Sequence, residues 1–290
     1  MALRLDPDFL QKLEYLHVVS RRAFAGRNRA DRQTNQRGRG IEFADHRPYA
    51  AGDDFRHIDW KAYKRLNRLL LRLFNEEQDL PIHLFIDVSR SMAEPGKFDH
   101  AKRLVASLCY IGLSNLDHVT ILPFGSRLLQ EIHPGRGQAR IIRVLDDLDA
   151  LTAEGETSLH HAFTQFAARA RPRGLAVVIS DFLDPGGFEP ALKLLASLGH
   201  EVYVVHVSSG RDRRCDVGGE IRLVDSETGA TRDVDVTPAL ADAYARAFTA
   251  HASALQAFCA RYQLGYLHAD TERPFEEIVL DTFRAGRFLA

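Results

Sequence analysis

The run Asp87-Val88-Ser89-Arg90-Ser91 sets a carboxylate and two alternating hydroxyls directly behind an apolar, strand-like stretch, Ile82 to Ile86. Hydroxyls two residues apart on one turn can face the same point beyond the strand end. A second apolar run, Leu175 to Ser180, ends at once in Asp181. Between the two, Glu154-Gly155-Glu156-Thr157-Ser158 leads into a helical stretch and could present a third hydroxyl. A donor set of carboxylates and hydroxyls, without sulfur or imidazole, selects a hard cation such as Mg²⁺, Mn²⁺ or Ca²⁺ over zinc. Two carboxylates with neutral hydroxyls leave such a cation electrophilic, with room for an incoming carboxylate.

These residues need a scaffold that brings separate strand ends to one mouth. From about residue 80 onward the chain supplies one. Apolar runs at 82–86, 119–124, 175–180 and 202–207 alternate with amphipathic stretches at 101–113, 139–148, 158–170 and 188–198. Unbroken apolar strands, each followed by a helix, indicate a mostly parallel sheet covered on both faces, a doubly wound α/β fold with Rossmann-type layering. In such sheets ligands bind beyond the carboxyl ends of the strands, where the strand order reverses. The segment Arg127 to Ile132 follows only a Gly-Ser turn, so an antiparallel edge strand is expected there. A polar hairpin is predicted within 211–236. Thr237-Pro238 then opens a long helix to about Tyr262, and a short strand near Tyr266 and a helix from Pro274 close the chain.

Asp87, Ser89, Ser91, Thr157 and Asp181 together resemble the metal-ion-dependent adhesion site of von Willebrand factor A domains, whose motif is Asp-x-Ser-x-Ser, then a threonine, then an aspartate. The resemblance spans about 210 residues. It implies that the serines and threonine ligate the metal directly, that the aspartates act directly or through water, and that a partner's Glu or Asp completes the shell. One Asp-x-Ser-x-Ser alone arises often by chance, and strand-end Asp and Ser also cap helices and loops. All five in register make the stronger case for a metal.

Upstream, Gly40-Ile-Glu42-Phe43, Arg47-Pro48-Tyr49 and Gly52-Asp53-Asp54-Phe55-Arg56-His57-Ile58-Asp59-Trp60 resemble the signature of the domain of unknown function 58 family, in which this stretch precedes a von Willebrand A-like domain. That resemblance implies a role beside MoxR-type AAA+ ATPases in the assembly or maturation of other proteins. Many members carry two upstream transmembrane helices; none lies in these residues, so a membrane-anchored role is not expected. The expected organisation is a family-specific N-terminal region, residues 1–78, and a von Willebrand A-like domain, 79–290. Read from the residues, Gly52-Asp53 suits a tight turn, and Tyr49 and Trp60 offer large apolar anchors. Asp53, Asp54, His57 and Asp59 read as turn and ion-pair partners of Arg47, Arg56 and Lys61, in preference to a second metal cluster.

A formal net charge of -1 over 290 residues gives no global attraction to nucleic acid or anionic membrane. Three cysteines, far apart, suggest neither a disulfide framework nor a zinc site. No signal-peptide pattern and no membrane-length apolar run occurs, so cytoplasmic residence is expected. Eight arginines between Arg21 and Arg47 form a basic segment that reads as a solvated arm or, as an alternative, an RNA contact. A Mg²⁺-dependent phosphatase-like hydrolase would want Asp-x-Asp, and Ser89 stands at the second position. The phosphate-cradling and nucleophile-elbow glycine patterns are missing. The reading is a non-enzymatic, metal-dependent protein-binding module with a MoxR-type AAA+ ATPase as partner.

Overall fold

The computed structural model describes residue 3 and residues 6–27, 37–38, 42–50, 53–75, 81–225 and 229–285, with side chains left undescribed at 20–27, 37–38, 42–45, 57, 72–75 and 282–285. Gly40, Gly52 and most of the arginine-rich arm therefore lie outside the described residues or side chains. Two compact units emerge, one of residues 1–21 and 80–288 and the other of residues 22–79 with 289–290. The division drawn from the sequence gave all of 1–78 to the N-terminal region. In the structure the chain up to Arg21 groups with the larger unit instead.

The reason lies in helix α1, Pro7–Arg27. Phe9, Leu13 and Leu16 recur at helical spacing and are 2% exposed or less. Phe9 packs on Phe275 with ring centroids 5.2 Å apart, and Asp6 pairs with Arg103 at 2.8 Å.

The smaller unit is a three-stranded antiparallel sheet of β1 (Arg37–Gly38), β2 (Glu42–Pro48) and β3 (Leu70–Asn75), in the order β1-β3-β2, with helix α2 (Trp60–Leu66) between the last two. Leu70–Asn75 pairs antiparallel with both β1 and β2. Asp59 caps α2, accepting from the Lys61 and Ala62 backbone amides at 2.9 and 3.0 Å. His46 lies 2.9 Å from the same carboxylate. Arg47 forks onto Asp53 at 2.8 and 2.6 Å, and Arg56 pairs with Asp54 at 2.8 Å. Tyr49 is half-buried, its backbone amide bonded to the Leu69 carbonyl, and Trp60 is 60% exposed and edge-on to Tyr63.

The larger unit is built on five parallel strands: β4 (Pro81–Asp87), β5 (His118–Phe124), β6 (Leu175–Ser180), β7 (Glu201–Ser208) and, after a two-stranded hairpin β8–β9 (Gly219–Val224, Thr231–Val236), β10 (Gly265–Asp270). Their order is β10-β7-β6-β4-β5. The connecting helices are α3 (Lys97–Ser114), α4 (Ile141–Asp149), α5 (Leu159–Ala167), α6 (Glu189–Ser197), the single turn α7 (Gly210–Arg213), α8 (Pro238–Arg261) and α9 (Phe275–Ala285). Strands β4 and β6 are buried almost throughout, as a doubly covered parallel sheet requires.

One face carries a core of Phe85, Phe124, Phe163, Phe166, Val204 and Phe258, shared with α5, α6 and α8. Residues 127–132 return antiparallel along β5 through two isolated bridges, Phe124 with Leu128 and Ile121 with Ile132. The expected edge strand is thus a partial one. The order reverses between β4 and β6: β5 follows β4 on one side, and β6 begins the run on the other. The mouth of the sheet lies there.

Candidate cation site at the sheet rim

Register brings the two aspartates to this mouth. Strands β4 and β6 pair with Ile86 opposite Ile179, so Asp87 and Asp181 leave adjacent strand ends. Asp87, Ser89, Asp181 and Lys97 are each 1% exposed or less. Asp87 Oδ1 accepts from the Ser89 backbone amide at 2.9 Å, and its Oδ2 accepts from the Ser180 hydroxyl at 2.6 Å. The Ser180 hydroxyl also accepts from the Phe182 amide at 2.9 Å, so one side chain ties both strand-end turns together. Phe182 is held at φ 56, an uncommon backbone for an aromatic residue. The Ser89 and Ser91 hydroxyls meet at 3.0 Å, as two alternating side chains facing one point should.

The third loop is stitched to the same turn by its backbone. The Arg90 amide donates to the Gly155 carbonyl at 2.9 Å, and the Glu154 amide to the Val88 carbonyl at 2.7 Å. Gly155 sits at φ +80, a conformation that suits glycine. The Leu159 amide, at the start of α5, donates to Asp184 at 2.7 Å. Thr157 lies between these anchors and is buried.

Charge at the site is crowded. Burial, the Asp181 charge second, pushes the Asp87 carboxyl up to about 7. Lys97, the first residue of α3, turns inward behind Gly96. Its ammonium reaches Asp181 Oδ2 at 2.7 Å, Asp212 Oδ2 at 3.1 Å and the Ser91 carbonyl at 3.4 Å. Burial works against its charge, but Asp181 and Asp212 outweigh it and its pKa stands above the ordinary lysine value. Two aspartates, Asp181 and Asp212, thus share one ammonium. Ser180, Lys97 and Asp212 were not singled out in the sequence. Ser180 is adjacent to Asp181, and Lys97 follows a Pro-Gly turn only six residues beyond Ser91.

A carboxylate-and-hydroxyl donor set suits a hard divalent cation. Both oxygens of Asp87 already accept hydrogen bonds, and one oxygen of Asp181 accepts from Lys97 while the other accepts from the Leu183 amide at 3.1 Å. The hydroxyls are accordingly the groups best placed for direct contact. Among the described residues no three His, Cys, Asp or Glu side chains converge on one point, at the rim or elsewhere.

Residues 45–254 match the family model described as "Protein of unknown function DUF58". The chain belongs to that family. Similar to it over 253 residues, at 28% identity, is the uncharacterized protein Rv1480 of Mycobacterium tuberculosis, with 85% of this chain and 80% of that one covered. A second relative, the uncharacterized protein MAV169 of Mycobacterium avium, is 41% identical over 81 residues, 28% of this chain and 47% of that one. Among solved structures, an aerotolerance-related membrane protein from Bacteroides fragilis aligns over 71% of this chain and 100% of its own, with TM-score 0.46 and 19% identity. The conserved hypothetical protein BatB from Bacteroides thetaiotaomicron aligns over 71% and 98%, with TM-score 0.42 and 15% identity. No described helix of this DUF58 chain is long and apolar enough to cross a membrane.

Proposed function

We propose that the rim of the β4–β6 crevice holds one hard divalent cation and uses it to grip an acidic residue of a protein partner. The observation that supports this reading is the arrival of Asp87 and Asp181 at adjacent strand ends, where the Asp181 charge bears on the buried Asp87 and the Ser89 and Ser91 hydroxyls lie 3.0 Å apart on the following turn. A divalent cation would supply the missing positive charge and an electrophilic point for a carboxylate. The protein's share is to fix the hydroxyls through the Asp87 turn and to keep the Thr157 loop against it. Function is then that of a binding module, not of an enzyme. At the second carboxylate position that phosphatase chemistry needs stands Ser89, whose hydroxyl is no general acid near neutral pH.

A MoxR-type AAA+ ATPase as the partner rests on the family resemblance, as does a role in assembly or maturation of other proteins; cytoplasmic residence is part of the same proposal. The test is capture of a MoxR-type AAA+ ATPase by this chain, with Mg²⁺ and with EDTA. Binding that needs Mg²⁺ and disappears in Asp87→Ala, with circular dichroism unchanged, is the expected result. Capture equal in EDTA would refute the cation's part in it.

A further inference from the structure

The larger unit has a second recess beside the rim. Helices α7 and α8 and the hairpin β8–β9 enclose a groove of about 990 Å³. Its apolar lining includes Leu223, Val234, Leu240 and Tyr244. Leu223, Leu240 and Tyr244 are 47%, 41% and 44% exposed, in a unit whose other large apolar side chains are mostly buried. A contiguous apolar surface of this kind marks an interaction site more often than chance. Arg211, Arg214 and Arg232 stand around it, against Asp216 as the acidic residue of the lining.

The arginines are held loosely. Arg211 lies 4.0 Å from Glu94 and Arg214 lies 3.5 Å from Glu272, with side chains 75% and 65% exposed. Exposed pairs of this sort contribute little and can be exchanged for a visitor's carboxylates. Helix α7, one wall of the groove, also reaches the rim. Asp212, on the α7 wall, shares the Lys97 ammonium with Asp181. Ser209, which caps α7, donates to Glu94 at 2.8 Å, and the Tyr244 hydroxyl donates to the Arg211 carbonyl at 3.3 Å.

We infer that this groove docks an acidic amphipathic segment of the protein partner, its Leu- or Phe-like side chains on the apolar floor and its Asp or Glu side chains on the arginines. The inference rests on the proposed function in one respect only, that a protein engages the neighbouring rim. The excess of arginine over acid selects the sign of the segment, and half-exposed Leu223, Leu240 and Tyr244 select its apolar face. Basic amphipathic segments are excluded by the same charges.

The test uses the full chain in EDTA and a fluorescein-labelled peptide alternating Glu with Leu and Phe. Saturable anisotropy is expected, with affinity at least tenfold weaker for Arg232→Glu and for Leu223→Ser, both on exposed hairpin positions. Cys215 supplies a second readout, since it lines the groove while Cys109 and Cys259 are buried. Bound peptide should slow its alkylation. No binding, equal binding of a peptide with Lys for Glu, or binding indifferent to both substitutions would overturn the inference. So would saturable oleate binding with none of the peptide. Because EDTA removes divalent cations, failure here leaves the rim site standing, and failure of the rim site leaves this groove standing.

Discussion

Replacing Lys97 by Met removes the ammonium that Asp181 and Asp212 share. The side chain is 1% exposed and lies 2.7 Å from Asp181 and 3.1 Å from Asp212. Breaking a buried ion pair from one side leaves an uncompensated charge and costs about 3–5 kcal/mol. For a unit of this size that corresponds to a melting temperature lower by roughly 6–20 °C. Two further measurements separate charge from packing. Lys97→Met combined with Asp181→Asn should recover part of the loss, because the more deeply buried of the two stranded carboxylates is then neutral while Asp212 remains. Mg²⁺ should restore more stability to the single variant than to the wild type, since a ligand that binds the fold stabilises it by RT ln(1 + [L]/Kd) and the variant's rim has lost a competing cation. Thermal denaturation followed by circular dichroism, with Mg²⁺ and with EDTA, reads all of this. A loss below about 1 kcal/mol, or a double variant no more stable than the single, would refute the charge accounting.

Ser180→Ala should cost about 1–3 kcal/mol, because Asp87 Oδ2 loses its hydroxyl donor in a buried place; urea denaturation measures it, and a neutral result would mean the bond is replaceable. Burial presses the pKa of His83 and His100 down to about 4 and that of His206 to about 3. Each therefore stays neutral in the fold while the unfolded chain protonates from 6.5 downward. Their contribution is complete above that pH and is lost as pH falls toward the folded values, by about 2 kcal/mol per histidine at pH 5. Asp87, with its pKa raised, works in the opposite direction and offsets part of this in the absence of a divalent cation. A stability profile in EDTA that is flat between pH 7 and pH 5 would contradict the neutral histidines.

The sheet was legible because its strands are unbroken apolar runs, and the rim because Asp87 and Asp181 sit at the ends of two of them. The hairpin and the long helix α8 followed from turn residues and the Thr237-Pro238 cap. Residues 1–21 group with the larger unit although 1–78 was set apart as one region, since a Phe9, Leu13 and Leu16 periodicity names a buried face without naming what covers it. Residues 127–132 make two bridges to β5 instead of a full strand, as only Leu128 and Ile132 pair across. Lys97 was passed over for a different reason. A lysine at a helix start reads as solvated, and only the three-dimensional convergence of Asp181 and Asp212 draws it inside.

The most direct test of the rim is calorimetric titration of the full chain with Mn²⁺ and with Mg²⁺. One saturable site is predicted for the wild type, lost in Asp87→Ala and in Ser89→Ala while both variants keep their circular dichroism. A wild type that takes up neither ion, or an isotherm unchanged by both substitutions, would contradict the account.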